Sequence, residues 1–153
     1  MARFYIPLKD GLRQLPNFSS IVSIDSYGFE YAFYYCTGLT GSVSFPSLTT
    51  VGSNGLSSAF YYCTGLTSVS FPNLTTIDSY GLNSAFRSCT SLTGSVSFPN
   101  LTTVSSFGLN NAFLGCTNIT ELHFKSSTQS TIEGLTGYSS KFGATNATIY
   151  FDL

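Results

Sequence analysis

Polar and apolar residues alternate along Ser42-Val43-Ser44-Phe45, then along Ser68-Val69-Ser70-Phe71 and Ser95-Val96-Ser97-Phe98. A period of two predicts a half-buried strand, with Val43 and Phe45 turned inward and the serines outward. Pro46, Pro72 and Pro99 end these runs, because proline has no N–H to give to a ladder. Leu48 and Val51, with their counterparts Leu74 and Ile77, turn inward again. Next comes Gly-Leu-x-x-Ala-Phe-x-x-Cys, in which Leu56, Ala59, Phe60 and Cys63 are spaced at three and four. That spacing keeps side chains on one helical face, so a short stretch of α or 3₁₀ helix is expected there.

These segments recur as one unit. Ala-Phe-x-x-Cys-Thr occurs four times, ending on Cys36-Thr37, Cys63-Thr64, Cys89-Thr90 and Cys116-Thr117. A period of 26 or 27 residues marks a solenoid, in which each coil buries its apolar face only by stacking on its neighbours. Leu15 to Ile21 and Glu121 to Lys125 are weaker copies of the proline phrase and the strand. The expected molecule is an α/β solenoid of about six coils in a single domain, 1–153. Its repeats cover 15–125, with an N-terminal cap over 1–14 and a C-terminal cap over 126–153. Short strands from successive coils form one parallel sheet, with short helices or 3₁₀ turns opposite. Asp10-Gly11 after the strand-like Arg3 to Leu8 predicts a hairpin that lays Phe4 and Ile6 over the first coil. Thr131 to Phe142 predicts an irregular helical coil, and Ala147 to Phe151 a last strand. Gly41 and Gly94 are inserted before two strands, where Thr67 runs directly into Ser68, and predict bulges.

Composition narrows the function classes. Charged residues are 8% of the chain and the net charge is -1, so no basic field exists to draw in nucleic acid or anionic lipid. No apolar run approaches the ~20 residues that span a bilayer, so membrane insertion is not expected. The N-terminal Met1 to Lys9 lacks the apolar segment of a secretory signal, which leads to the expectation of a cytoplasmic or virion-associated protein. The four cysteines hold one position in each coil and read as a column of small buried side chains. A column at one-coil spacing does not converge on a metal ion, and side chains pointing the same way fit a disulfide poorly. No cofactor or metal is expected.

The phrase Ala59-Phe60, Cys63, Leu66, Val69, Phe71-Pro72, Leu74 and Ile77 resembles the BspA-like leucine-rich repeat family of bacteria and phages, in register over roughly 15–125. The coil is longer than the family's usual one, through its inserted Gly-Leu segment, and Phe stands where an aliphatic strand residue is commoner. The resemblance implies a curved, right-handed solenoid with a binding role. Members are often bacterial surface proteins involved in adhesion, and similar arrays occur in gut bacteria and their phages.

His123, the single histidine, sits where Ser44, Ser70 and Ser97 sit and should face out from the sheet with Glu121 beside it. A general base needs a positioned partner and a pocket, and the sequence shows neither, so no catalytic residue is assigned. Asn17, Asn73, Asn100, Asn118 and Asn146 each begin Asn-x-Ser/Thr and read as turn residues rather than glycan acceptors. Phe33, Phe60, Phe86 and Phe113 read as a buried column. The positions between Phe and Cys vary from coil to coil while the core is held, which suggests a solvent face. Tyrosine there offers rigid contact area with a polar tip. The candidate partner-binding face is Tyr27, Tyr31, Tyr34, Tyr35, Tyr61, Tyr62, Tyr80 and Arg87, unless half of these pack on the next coil. The alternative is the sheet face of Ser44, Ser70, Ser97, Glu121 and His123. The expected function is non-enzymatic recognition of a protein, or of a cell-surface glycan, as an adhesin or phage receptor-binding protein. A soluble intracellular inhibitor or adaptor of a host protein is the alternative.

Overall fold

The computed structural model describes residues 13–153. The expected N-terminal hairpin, with Phe4, Ile6 and the Asp10-Gly11 turn, lies outside them. Successive coils stack in parallel, with strands bonded to their counterparts one coil along except between Gly65–Ser70 and Thr93–Phe98. The two-residue strands β1 (Ser23–Ile24), β3 (Thr50–Val51), β5 (Thr76–Ile77) and β7 (Thr103–Val104) form one parallel sheet in that order. The longer strands carry the alternating phrase: β2 (Thr40–Ser44), β4 (Gly65–Ser70), β6 (Thr93–Phe98) and β8 (Asn118–Phe124). They end at β9 (Thr148–Phe151), the strand of the C-terminal cap.

The sheet is divided where one continuous sheet was expected. The long strands pair as β2-β4 and as β6-β8-β9. The break falls between β4 and β6, where a strand without an inserted glycine is followed by one that carries Gly94. The ladder is irregular at both inserted glycines as expected, but the residue left unpaired lies on the partner strand, Thr67 of β4 and Thr120 of β8. The register slips by one between Gly41 and Ser42 against β4, and between Gly94 and Ser95 against β8. Gly41 and Gly94 sit at φ 87° and 73°, left-handed values that glycine adopts without steric cost.

The segment opposite the strands is not helical. From Tyr27 to Cys36 the backbone amides divide their bonds between two directions. Gly28, Glu30, Ala32, Tyr34 and Cys36 donate to the carbonyl three residues back. Tyr27, Phe29, Tyr31, Phe33 and Tyr35 donate across to Ser53, Gly55, Ser57, Ala59 and Tyr61 of the next coil. An α-helix would spend every amide within one segment. Here half of them tie coil to coil. The price of this chain of turns is a left-handed residue at every fourth position: Tyr27, Tyr31 and Tyr35, then Asn54, Ser58 and Tyr62. A four-residue turn repeat puts Leu56, Ala59, Phe60 and Cys63 inside just as a helix would over so short a stretch, so the two have the same polarity pattern.

The interior is one contiguous apolar cluster built on two phenylalanine columns. Phe33, Phe60, Phe86 and Phe113 stack with centroids 4.9, 5.3 and 5.9 Å apart. Phe18, Phe45, Phe71, Phe98 and Phe124 form the second column, at 4.5, 5.7, 5.9 and 5.4 Å. The columns meet edge to face, as at Phe71 and Phe86. Each buried ring contributes about 1.5–3 kcal/mol through burial, and each ring pair about 0.5–1.5 kcal/mol more. The thiols are buried and bond across the coils. Cys63, Cys89 and Cys116 each donate S–H at 3.0 Å to the carbonyl of the core phenylalanine one coil back: Phe33, Phe60 and Phe86. Burial pushes the Cys116 thiol up to about 12 and raises Cys89 as well, so neither ionises at neutral pH.

The cap closes the stack with a 3₁₀ turn at Ser126–Thr128, helix α1 (Gln129–Glu133) and a kinked 3₁₀ segment at Tyr138–Gly143. Phe142 fills the end of the core against Phe124.

Candidate binding surface

The surface positions between Phe and Cys form ladders of their own, because every side chain lies one coil from its counterpart. Tyr34 stacks on Tyr61 at 4.8 Å, and Tyr35 on Tyr62 at 4.7 Å. Tyr31 meets Tyr34 edge-on at 5.5 Å. The Arg87 guanidinium continues the first ladder, 5.5 Å from the centre of the Tyr61 ring. These six side chains make one patch. Tyr31, Tyr35 and Tyr62 are exposed, at 49%, 46% and 41%, while Tyr34 and Tyr61 are half-buried beneath them. The phenols thus divide into an outer contact layer and an inner layer that props it.

Tyr27 and Tyr80 stand apart from this patch. They belong to the column 27, 54, 80, 107, in which Asn54 interrupts the aromatic run and Tyr80 stacks on Phe107 at 4.9 Å. Phe107, 38% exposed, is a surface aromatic that the candidate face omitted, although its equivalence to Tyr27 and Tyr80 is legible in the repeat.

The backbone under the patch favours other residues. Tyr31, Tyr35 and Tyr62 sit at φ 56°, 61° and 61°. The equivalent left-handed positions in other coils hold Ser58, Ser84 and Asn111, or Ser88 and Gly115. Glycine and asparagine tolerate this conformation, whereas a bulky L-residue incurs about 1–2 kcal/mol there. Strained residues concentrate at functional sites. Burial first, then the neighbouring phenols of Tyr35, Tyr61 and Tyr31, raise the pKa of Tyr34, and Arg87 opposes them. The Tyr34 hydroxyl therefore stays neutral at physiological pH, able to donate and accept a hydrogen bond.

The alternative face is present in two strips. Ser44 lies opposite Ser70 in one sheet, and Ser97 opposite His123 in the other, with Glu121 opposite Ser95. His123 has more company than the sequence indicated. Its Nδ1 lies 2.8 Å from Asp152, its Nε2 3.1 Å from Glu121, and its ring stacks on Tyr150 at 5.0 Å. The hydrogen bond to Asp152 chiefly raises its pKa, with Glu121 adding to the effect and burial working against it. These partners favour the protonated form of the ring, and with both nitrogens engaged it is not presented as a free base. Asp152 and Tyr150 were not legible as partners, because the last strand follows a cap in which the repeat phrase is lost. A shallow depression of about 280 Å³ on the cap is lined by Tyr138, Ser139, Lys141, Thr148 and Ile149, with Thr148 the register partner of Glu121.

The asparagine motifs are structural. Asn73 and Asn100 donate Nδ2–H at 2.7 Å to Pro46 and Pro72 one coil back, and Asn118 and Asn146 donate at 2.9 Å to Thr90 and Thr117. Asn17 instead accepts from the Ser19 amide at 2.8 Å.

A sequence profile of the BspA type leucine rich repeat region matches in six copies over residues 14–140. The chain belongs to the BspA-type leucine-rich repeat family. No curated protein matches it. Among solved structures, this BspA-type chain is similar to a leucine-rich cell surface protein of Faecalibacterium prausnitzii A2-165. That match has a TM-score of 0.50 and 20% identity, over 89% of this chain and 30% of that one. It is also similar to a T. pallidum leucine-rich repeat protein, with a TM-score of 0.49 and 18% identity, over 95% of this chain and 71% of that one. The BspA-type chain thus spans 30% of the length of the F. prausnitzii protein.

Proposed function

We propose that this protein is a non-enzymatic recognition module of the adhesin or receptor-binding type, and that it grips a protein on a cell surface. The observation that carries the reading is the contiguous patch of Tyr31, Tyr34, Tyr35, Tyr61, Tyr62 and Arg87. Its exposed tyrosines stand on left-handed backbone that favours asparagine or glycine. Tyrosine and arginine are the side chains most often found at interface hot spots, along with tryptophan. The stacked rings are pre-ordered by the solenoid, so little side-chain entropy remains to be lost on docking. The serine strips offer no comparable anchor.

The test is binding of labelled protein to a panel of intact bacterial cells, compared with the double variant Tyr61→Ser and Tyr62→Ser. Loss of surface binding in a variant that keeps its melting temperature supports the reading. Retained binding moves the site to Ser44, Ser70, Ser97, Glu121 and His123. Capture of one stoichiometric cytosolic protein, with no binding to cells, replaces the adhesin with a soluble inhibitor or adaptor.

A further inference from the structure

The two tyrosine ladders end differently. Tyr34 and Tyr61 continue into Arg87, whose guanidinium covers the Tyr61 ring. Tyr35 and Tyr62 continue into Ser88 and then Gly115, which carry no ring. The backbone keeps the same ladder through this step, since Tyr62 donates to Arg87 and Ser88 donates to Leu114 across the coils. The far face of Tyr62 therefore borders a step floored by a serine and a glycine, at a residue 41% exposed. The neighbouring cation is uncommitted. Among the described residues, no carboxylate pairs with Arg87 and no side-chain hydrogen bond holds its guanidinium. It lies over the Tyr61 ring, and a guanidinium lying on a ring keeps its in-plane N–H donors free for a carboxylate.

We propose that this step is the specificity pocket of the tyrosine face. It receives a protein segment in which an aromatic or prolyl ring stacks on Tyr62 while an adjacent Asp or Glu pairs with Arg87. The inference rests on the recognition reading and names the chemistry of its partner. Charge complementarity selects an acidic segment, since Arg87 is the cation of the patch. The end of the ladder selects the flat neighbour, since Ser88 stands at the position that would hold the next ring.

The probe is a displayed library of random twelve-residue peptides, panned on the intact protein. The wild type should enrich peptides that place Asp or Glu beside an aromatic residue or proline. A resynthesised consensus peptide should bind Arg87→Glu about tenfold more weakly or worse, as loss of a charge-assisted pair implies, with Arg87→Lys between. Ser88→Tyr, which extends the ladder into the step, should remove the ring preference while Arg87 still selects acid. A pool without acidic bias, no enrichment, or an affinity indifferent to Arg87→Glu overturns the proposal. So does binding confined to acidic sugars on a glycan array. Any of these, with cell binding still lost in the Tyr61→Ser and Tyr62→Ser variant, leaves the recognition reading standing. Cell binding retained in that variant removes the face itself.

Discussion

Cys63 tests how the core is held. Its side chain is fully buried, and its thiol reaches the Phe33 carbonyl, which already accepts the Cys36 amide at 3.1 Å. Viewed only as a small apolar side chain, Cys63 should tolerate alanine better than serine, because serine would bury an unmatched hydroxyl. The geometry reverses that order. Cys63→Ala removes one buried heavy atom, worth about 0.8 kcal/mol in transfer. It leaves a cavity that costs a comparable amount, and it loses a hydrogen bond worth ~0.5–1 kcal/mol. The expected loss is about 2 kcal/mol, or roughly 4–8 °C in melting temperature for a chain of this size. Cys63→Ser also shrinks the side chain, but its hydroxyl inherits the carbonyl acceptor, and the expected loss is about 1 kcal/mol. Urea melts of wild type, Cys63→Ala and Cys63→Ser at one pH read both values. Serine more damaging than alanine would refute the hydrogen bond, and two neutral variants would put Cys63 at the surface and undo the phasing of the coils. Cys89→Ser and Cys116→Ser should follow the same order, since their bonds repeat at 3.0 Å.

Tyr31→Asn should leave stability unchanged or raise it by up to about 1 kcal/mol, because relief of the left-handed strain offsets the lost edge contact with Tyr34. A loss above that size in a urea melt would mean the ring contributes more than the backbone strain removes. His123 gives a pH signature. Its folded pKa is raised, so the stabilisation from its carboxylate partners is full below the ordinary histidine value of about 6.5 and is lost as pH rises through the higher folded value. The urea midpoint of wild type relative to His123→Gln should therefore fall with increasing pH above that point; a constant difference would remove the ion cluster. Asn100→Ala should lose about 1 kcal/mol by deleting the bond to Pro72, and Asn73→Ala about as much at Pro46. Thermal melts indistinguishable from wild type would show that water replaces these staples at no cost.

Much of the fold was legible because a solenoid repeats its solution. Any feature needed by one coil recurs at the same phase in the next, so Phe60, Cys63, Val69, Phe71 and Leu74 could be placed inside by superposing copies of the sequence. The register shifts at Gly41 and Gly94 were legible for the same reason, as single insertions against the common phrase. The turn ladder was not. Over nine residues, a turn every four and a helix of 3.6 share one pattern of inward positions. The distinguishing signal lay in the outward ones, where Asn54, Asn111 and Gly115 are residues suited to left-handed backbone. The candidate face was legible as a set of variable positions but not as a shape. Only the stacking separates the patch around Tyr61 from Tyr27 and Tyr80.

The sequence by itself determined the repeat, the phase of each side chain and the identity of the buried columns. These follow from the alternation of apolar and polar residues, which burial enforces locally. Tertiary structure decided what depends on distance between coils. It settled which amides bond within a coil and which across, and that the cysteine thiols donate to phenylalanine carbonyls. It brought Asp152 to His123 from a strand whose repeat phrase had vanished. It also stacked Arg87 on Tyr61 and left Ser88 at the end of the parallel ladder. Such contacts join residues about one coil apart in the chain, and local polarity carries no information on whether rings and charges at that separation will meet.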